Sequence, residues 1–331
     1  MSRLLTSAAL LAVLAGAPYP AGVYVVQGPA PAIRNARFVG AGAALQDSTR
    51  WLLFYHWTDS PGEPYPWWPQ MAQSLDEGQT WQDYGPVRIE TPKADHVWIH
   101  SALVWEGVPW IFYHWHELED NTWHIGAASS QDGKPWQSAS VVLPPAQGIL
   151  TNPAAVVADG HVYLFASECI EGAFQIRLYR ADAPPGPYEA VSLAVPFGAA
   201  SWCERGAWDA CPVRLPSGRW LLWFSGSAGP PPDRSNTTLG YALAEAIEGP
   251  YIVQPEPSFR HSTGVGGRTA AFYRSDGTVT LYSDAFYGGG LKRSMSLLQF
   301  TIREAKGTSG ESPTNPAGPG PVGHAHTSGS S

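Results

Sequence analysis

The chain has 331 residues, a formal net charge of −8 and 15% charged side chains. With no Lys/Arg-rich run, that balance excludes nucleic acid as an expected partner. The 35 glycines and 31 prolines, without any long helical periodicity, exclude a helical bundle and suit a chain that turns every few residues.

Residues 2–17 read S-R-L-L-T-S-A-A-L-L-A-V-L-A-G-A, with one arginine, an apolar run and a small-residue site at Ala15-Gly16-Ala17. This is the pattern of a signal peptide over residues 1–17, so a secreted or periplasmic protein is expected. The run is too short for a stable membrane span. From there, residues 22–305 carry the patterned part of the chain. Residues 306–331 are Gly, Ser, Pro and Thr with almost nothing apolar to bury, and are expected to be disordered.

Within 22–305 one pattern recurs: a short run of small apolar residues, a turn, then an aromatic and aliphatic run. Asn35-Ala36-Arg37-Phe38-Val39 precedes Trp51–His56, and His100-Ser101-Ala102-Leu103-Val104 precedes Trp110–His114. Asn152-Pro153-Ala154-Ala155-Val156 precedes Val162–Ser167, Asp209 opens the run before Trp220–Phe224, and Arg268-Thr269-Ala270-Ala271-Phe272 precedes Val279–Ser283. The starting positions 35, 100, 152, 209 and 268 lie 65, 52, 57 and 59 residues apart. Each second run has the composition of a strand buried on both faces. Five antiparallel units that cannot bury their faces alone, repeated every 40–50 residues or more, give the signature of a β-propeller. The expected fold is therefore all-β, a five-bladed β-propeller of four-stranded antiparallel blades. Unit five lacks a fourth strand. The β-branched stretch Gly22–Gln27 is expected to pair with it and cover the edge.

The later half of each unit repeats too. Ser74-Leu75-Asp76-Glu77-Gly78-Gln79-Thr80-Trp81 has the form S-x-D-x-G-x-T-W and resembles the Asp-box of sialidase-type propellers. Its Asp and Gly suit a hairpin turn, so the reading of Asp76, and of Asp132 in a shortened copy, is a folding role. Asn152-Pro-Ala-Ala-Val followed by Asp159-Gly-His-Val-Tyr-Leu resembles the blade opening of five-bladed glycoside hydrolases of the arabinanase/β-xylosidase and fructosidase type. Trp208-Asp209-Ala210-Cys211-Pro212-Val213 resembles the opening that carries their acid. The resemblance spans roughly residues 30 to 305.

In a propeller the residues opening the innermost strands crowd one mouth of the central channel. By the repeat alignment these are Asn35, His100, Asn152, Asp209 and Arg268. A second ring holds His56, His114, Ser167 with Glu168, Ser225, and Ser283 with Asp284. Glycoside hydrolysis needs two carboxyl groups flanking the scissile bond. The resemblance implies a base Asp in blade one, a tuning Asp in blade three and an acid Glu in blade four. These fall on Asn35, Asn152 and Asp209, so two of the three are amides. Asp209 is then the acid, and Glu168 or a histidine, His100 foremost, is the candidate partner. Asn35, Arg37, Asn152, Arg268, His56, His114 and Trp98 are the candidate substrate-binding residues. Tryptophans 57, 67, 68, 115 and 202 lie in neighbouring loops and could stack on sugar or cap a blade. Arg34, Arg37 and Arg268 near the mouth of an acidic chain point to an anionic glycan.

No metal or cofactor motif is present: there is no C-x-x-C, and the histidines show no diagnostic ligand spacing. Cys203 and Cys211 read either as a short-loop disulfide or, with Cys169, as buried thiols. The expected protein is a monomer that takes carbohydrate as a glycoside hydrolase-like enzyme. The alternatives are a non-catalytic glycan-binding propeller and a polysaccharide lyase using His100 or a channel Tyr as base and Arg268 to neutralise a uronate.

Overall fold

A computed structural model describes residues 23–31, 38–58, 68–90, 96–117, 122–131, 135–141, 143–229, 237–260, 265–287 and 294–304. Residues 25–302 form the main compact body, and the two ends, 1–24 and 303–331, a second unit. The expected signal peptide and C-terminal tail lie outside the described residues.

The body is built of strands, with one short 3₁₀ turn at Ser201–Cys203 among the described residues. In chain order the strands are β1 (Val23–Pro31), β2 (Phe38–Gln46), β3 (Trp51–Thr58), β4 (Trp68–Ser74), β5 (Gln82–Pro86) and β6 (Ile89–Glu90). Next come β7 (His96–Trp105), β8 (Val108–Glu117), β9 (Thr122–Ser129), β10 (Trp136–Ser140), β11 (Ile149–Ala158), β12 (His161–Ile170), β13 (Ala173–Ala181) and β14 (Glu189–Val195). The last are β15 (Gly206–Arg214), β16 (Trp220–Ser227), β17 (Thr237–Ala244), β18 (Ile252–Val253), β19 (Phe259–Arg260), β20 (Val265–Tyr273), β21 (Val279–Tyr287) and β22 (Ser294–Glu304).

Antiparallel pairing groups them as the repeats require: β2-β3-β4-β5, β7-β8-β9-β10, β11-β12-β13-β14, β15-β16-β17 with β18 and β19, and β20-β21-β22. Strand β1 pairs with β22, as the edge argument expected for Gly22–Gln27. The first strands of the groups pack in a cycle: β2 on β7, β7 on β11, β11 on β15, β15 on β20, and β20 on β2. Apolar clusters fill the junctions between neighbouring groups. Phe54, Ile99, Ile111 and Trp136 sit together, as do Phe112, Leu164 and Tyr179, and Phe165, Trp202, Leu222 and Phe224. Truncating such a fully buried aromatic to alanine costs about 3–5 kcal/mol.

A second device ties each group to the next. A side chain near the end of each second strand accepts a hydrogen bond from a backbone N–H of the following first strand. His56 Nε2 accepts from Ile99 at 2.8 Å, His114 Nδ1 from Asn152 at 3.1 Å, Ser167 Oγ from Asp209 at 3.2 Å and Ser225 Oγ from Gly267 at 2.8 Å. The series returns on itself, because Asp284 Oδ1 accepts from Ala41. All five donors lie at or beside register shifts in the inner hairpins. Such bulges bend the strand and free a backbone group from the ladder.

The stretch Ser74–Trp81 folds as its sequence suggests. Ser74 Oγ donates to Asp76 Oδ1 at 2.7 Å and accepts from Gly78 N–H at 2.8 Å, and Thr80 N–H and Oγ1 donate to the Asp76 carboxylate. Those donors hold the Asp76 carboxyl at about 2. Trp81 then packs against Phe272 and Tyr282 of the β20-β21 hairpin, and Arg274 donates to the Glu77 carbonyl at 3.0 Å. The turn thus joins the first repeat to the last. The disulfide reading fails: Cys203 and Cys211 are free thiols, and burial pushes them up to about 11 and about 12. Cys203 lies in the 3₁₀ turn, inside the same apolar cluster as Trp202 and Phe224.

The bulge in β2 falls at Gly42, where a Cβ would stand 2.6 Å from the Phe54 carbonyl oxygen and 3.1 Å from that of Ile99. Backbone on both sides cannot move aside cheaply. Gly42→Ala is expected to destabilise the fold by about 1–3 kcal/mol, the usual cost of overpacking, read from the urea midpoint. An unchanged midpoint would show that the close approach is dispensable.

Candidate functional site

The shared inter-strand hydrogen bond gives an objective register for the repeats. The donors Ile99, Asn152 and Asp209 are equivalent, and so is Ala41 in the first group. In each inner hairpin the residue two further on faces the same aromatic position: Ala43 faces Phe54, Ser101 faces Phe112, Ala154 faces Phe165 and Cys211 faces Trp223. In the fifth group the donor is Gly267, while Ala270 facing Tyr282 puts Arg268 at the position equivalent by strand pairing. Positions 41, 99, 152, 209 and 268 are 58, 53, 57 and 59 apart, a more even spacing than the sequence alignment produced. The alignment was therefore right for Asn152, Asp209 and Arg268, one residue late for His100 and six residues early for Asn35. Arg34, Asn35 and Arg37 themselves lie outside the described residues. Among the described residues the first repeat offers Ala41 and Gly42 at this level, with no polar side chain.

His100 still reaches the group, because it is the extra residue of the β7 bulge between Ile99 and Ser101. Its side chain is 4% exposed, and Nδ1 lies 3.9 Å from Asp209 Oδ1. Its ring is 4.6 Å from that of His114. Nε2 is buried without a hydrogen-bond partner among the described residues. Burial, with His114, Arg268 and His56 nearby, holds the imidazole well below the usual histidine range. At neutral pH it is an uncharged base.

Asn152 and Asp209 both take a left-handed backbone, φ +52° and +55°, which Asn and Asp tolerate better than other side-chain-bearing residues. That conformation turns each N–H to the neighbouring group. Arg268 is 12% exposed and donates through Nη2 to Asp284 Oδ2 at 3.2 Å, leaving Nε buried and unpartnered among the described residues. A carboxylate that meets Arg268 is thus that of Asp284, on the neighbouring strand of the same hairpin. Asp284 can approach because residue 267 is glycine: a Cβ there would sit 2.5 Å from Oδ2, at a φ of +118°.

Two expected members do not join. His56 is fully buried and both nitrogens meet backbone, Nε2 at Ile99 N–H and Nδ1 at the Ala41 carbonyl 3.3 Å away, so it is a structural pin and not a substrate ligand. Glu168 is fully buried, and its carboxylate accepts from Arg177 Nε and Nη2 at 2.9 and 2.8 Å, from Gln175 at 2.7 Å and from Gln147 N–H at 3.0 Å. Against the opposing cost of burial, these donors hold it below the usual carboxylate range. A carboxylate so occupied is not a free proton acceptor. His114 is intermediate: Nδ1 accepts from Asn152, while its ring faces His100 and the indole of Trp98 at 5.1 Å.

Trp98, half-buried, adjoins Trp123 at 5.8 Å, and Trp123 stacks on His116 at 4.5 Å. Trp123 belongs to β9 and was not singled out in the sequence. Its alternation with His116 across the β8-β9 hairpin is the signal that finds it. Trp202 instead packs on Phe224 and donates to the Gln254 carbonyl at 2.8 Å, a core role, and Trp115 stacks on His124. Trp67 lies outside the described residues, as do the side chains of Trp57 and Trp68.

Solved structures share this architecture. A thermostable family-43 glycoside hydrolase matches with a TM-score of 0.60 over 85% of this chain and 98% of its own, at 14% identity. An endo-arabinase from Bacteroides thetaiotaomicron matches at 0.60 over 84% and 97%, with 15% identity. A family 117 glycoside hydrolase produced by the marine bacterium Zobellia galactanivorans matches at 0.59 over 85% and 90%, with 13% identity. These are five-bladed β-propellers. The chain has a propeller glycoside hydrolase-like fold. No protein-family model and no curated protein matches its sequence. Among the described residues, no helix is long and apolar enough to cross a membrane.

Proposed function

We propose that the chain is a closed five-bladed propeller of four-stranded blades, and a glycoside hydrolase-like protein that takes a glycan where His100, Asn152, Asp209 and Arg268 meet. The cycle of inner-strand contacts and the five returning hydrogen bonds support closure. The observation that carries the function is the buried pair of His100 and Asp209, drawn from the second and fourth units, with His100 Nε2 left unpartnered. Water attacks the anomeric carbon and gives its proton to His100 Nε2. The glycosidic C–O bond breaks as Asp209 protonates the leaving oxygen. Asn152 supplies a polar amide, and Trp98 with Trp123 an aromatic wall for the sugar. Arg268, oriented by Asp284, keeps Nε for an acidic substituent, so the preferred glycan is anionic. The S-x-D-x-G-x-T-W turn acts as an Asp-box. The protein works as an exported monomer.

One observation favours a second reading. With Ala41 in the place of the base and Asn152 in that of the tuning carboxylate, only Asp209 of the three implied carboxyls remains. A propeller that binds glycans without cleaving them would look the same. A panel of acidic and neutral polysaccharides, assayed for new reducing ends and for absorbance of unsaturated products, separates hydrolysis, elimination and binding alone. Hydrolysis of an acidic glycan is expected, with Arg268→Lys weakening it about tenfold or more, because an ammonium cannot copy a two-pronged contact. Equal action on a neutral counterpart removes the charge preference, and binding without products favours the second reading.

A further inference from the structure

The strands β11, β15 and β20 carry Asn152, Asp209 and Arg268 near their starts. At their opposite ends lies a separate cavity of about 440 Å³, lined among others by Val156, Arg214, Pro216, Trp220, Tyr273 and Arg274. That volume falls in the range of roughly 300–1,000 Å³ common for small-ligand sites. In a chain of net charge −8, the cavity has two arginines and no acidic residue in its lining. Arg274 is partly engaged by Glu77, through its carbonyl at 3.0 Å and its carboxylate at 3.6 Å. Arg214 is exposed, and its guanidinium has no ion-pair partner among the described residues. Its backbone N–H donates to the Tyr273 hydroxyl at 2.8 Å, which leaves the phenolic O–H to donate elsewhere. A phenol ordinarily titrates near 10, so at neutral pH the hydroxyl keeps its proton.

We infer that this cavity is a second binding site, for the carboxylate of an acidic saccharide. Arg214 and the Tyr273 hydroxyl hold the carboxylate, and a sugar ring lies against the Tyr273 ring, Pro216 and Val156. An arginine fork fits a carboxylate through two parallel N–H bonds. Tyrosine and proline offer flat C–H and π surface to the apolar face of a pyranose. The anionic part follows from the lining alone; the saccharide part rests on the carbohydrate function proposed above. An enzyme or binder with sites at both ends of one set of strands would hold a polymeric substrate at two points and raise its effective concentration at the first.

Isothermal titration of the full chain with digalacturonate, its methyl ester and inorganic phosphate tests the inference. Wild type is expected to take two equivalents of digalacturonate. Arg214→Ala should take one, and Arg268→Lys should keep the equivalent that Arg214→Ala loses. Tyr273→Phe should weaken that same equivalent several-fold. The ester should bind this site at least tenfold more weakly than the acid. Unchanged stoichiometry in Arg214→Ala overturns the second site while leaving the first intact. Loss of both equivalents in Arg268→Lys also overturns it, since the two would then not be separate sites. Phosphate that displaces digalacturonate at equal concentration overturns the saccharide assignment.

Discussion

Asp209→Asn is expected to lower turnover of the glycan substrate by about 10²–10⁴-fold, the usual worth of a positioned general acid, with the unfolding midpoint unchanged. The substitution removes the proton and little else. Asparagine has nearly the same size and tolerates the left-handed backbone that residue 209 adopts, φ +55°. The N–H that donates to Ser167 Oγ is backbone and survives. A lost fold is therefore not the expected cause of lost activity, and circular dichroism with the urea midpoint verifies that. His100→Gln should give a comparable loss, and the double variant should be little worse than either, since groups acting in one step are not additive. Full activity in Asp209→Asn would remove this residue as the acid. A wild type that binds glycan without turnover, with affinity changed only modestly by Asp209→Asn, would mark a binding protein.

Much of this architecture was legible because repeated units confess themselves through their turns. Asp159-Gly160, Glu106-Gly107 and Asp276-Gly277 each sit between an inner strand and the next, and fix its register. The site was less legible where a repeat has lost its polar opener. In the first unit, Ala41-Gly42-Ala43-Ala44-Leu45 matches Asn152-Pro-Ala-Ala-Val in backbone role, yet has no side chain to advertise it. The eye then settles on Asn35. His100 was misaligned by one because a bulge adds a residue that no pattern of alternation marks. Glu168 was a false lead that the sequence could have corrected. The Glu171-Gly172 turn between β12 and β13 sets Glu168 opposite Gln175. Two residues on, Arg177 lies on the same face and closes on the carboxylate. What no sequence pattern contains is the choice of partner for Arg268. That depends on Gly267 letting Asp284 come close, a contact between two strands fixed by the whole hairpin.

The histidines predict a loss of stability in mild acid, well above the pH at which carboxylates protonate. His56, His100 and His114 are buried and neutral, and each is held well below the ordinary value of 6.5, chiefly by burial and then by Arg268 and a neighbouring histidine. In the unfolded chain each titrates near 6.5. Above that pH neither state takes a proton and stability is flat. Below it the unfolded chain binds protons that the folded chain refuses, so stability falls until the folded groups titrate as well. Each histidine contributes a slope of at most about 1.4 kcal/mol per pH unit. For His56 and His114 the penalty has a mechanical side. Each ring uses a nitrogen lone pair to accept the N–H of the following unit, Ile99 or Asn152, and an imidazolium has no lone pair to offer. Urea midpoints measured from pH 8 to pH 5 should be level to about 7 and then drop steeply. Glu168, whose carboxyl is lowered from 4.5, responds in a lower window and does not blur the result. Glutamine at both pins, His56→Gln with His114→Gln, keeps an oxygen acceptor and should flatten most of the drop, leaving the share of His100. A drop of the same steepness in that double variant would place the acid-sensitive groups elsewhere. The two histidines would then be replaceable spacers in the ring.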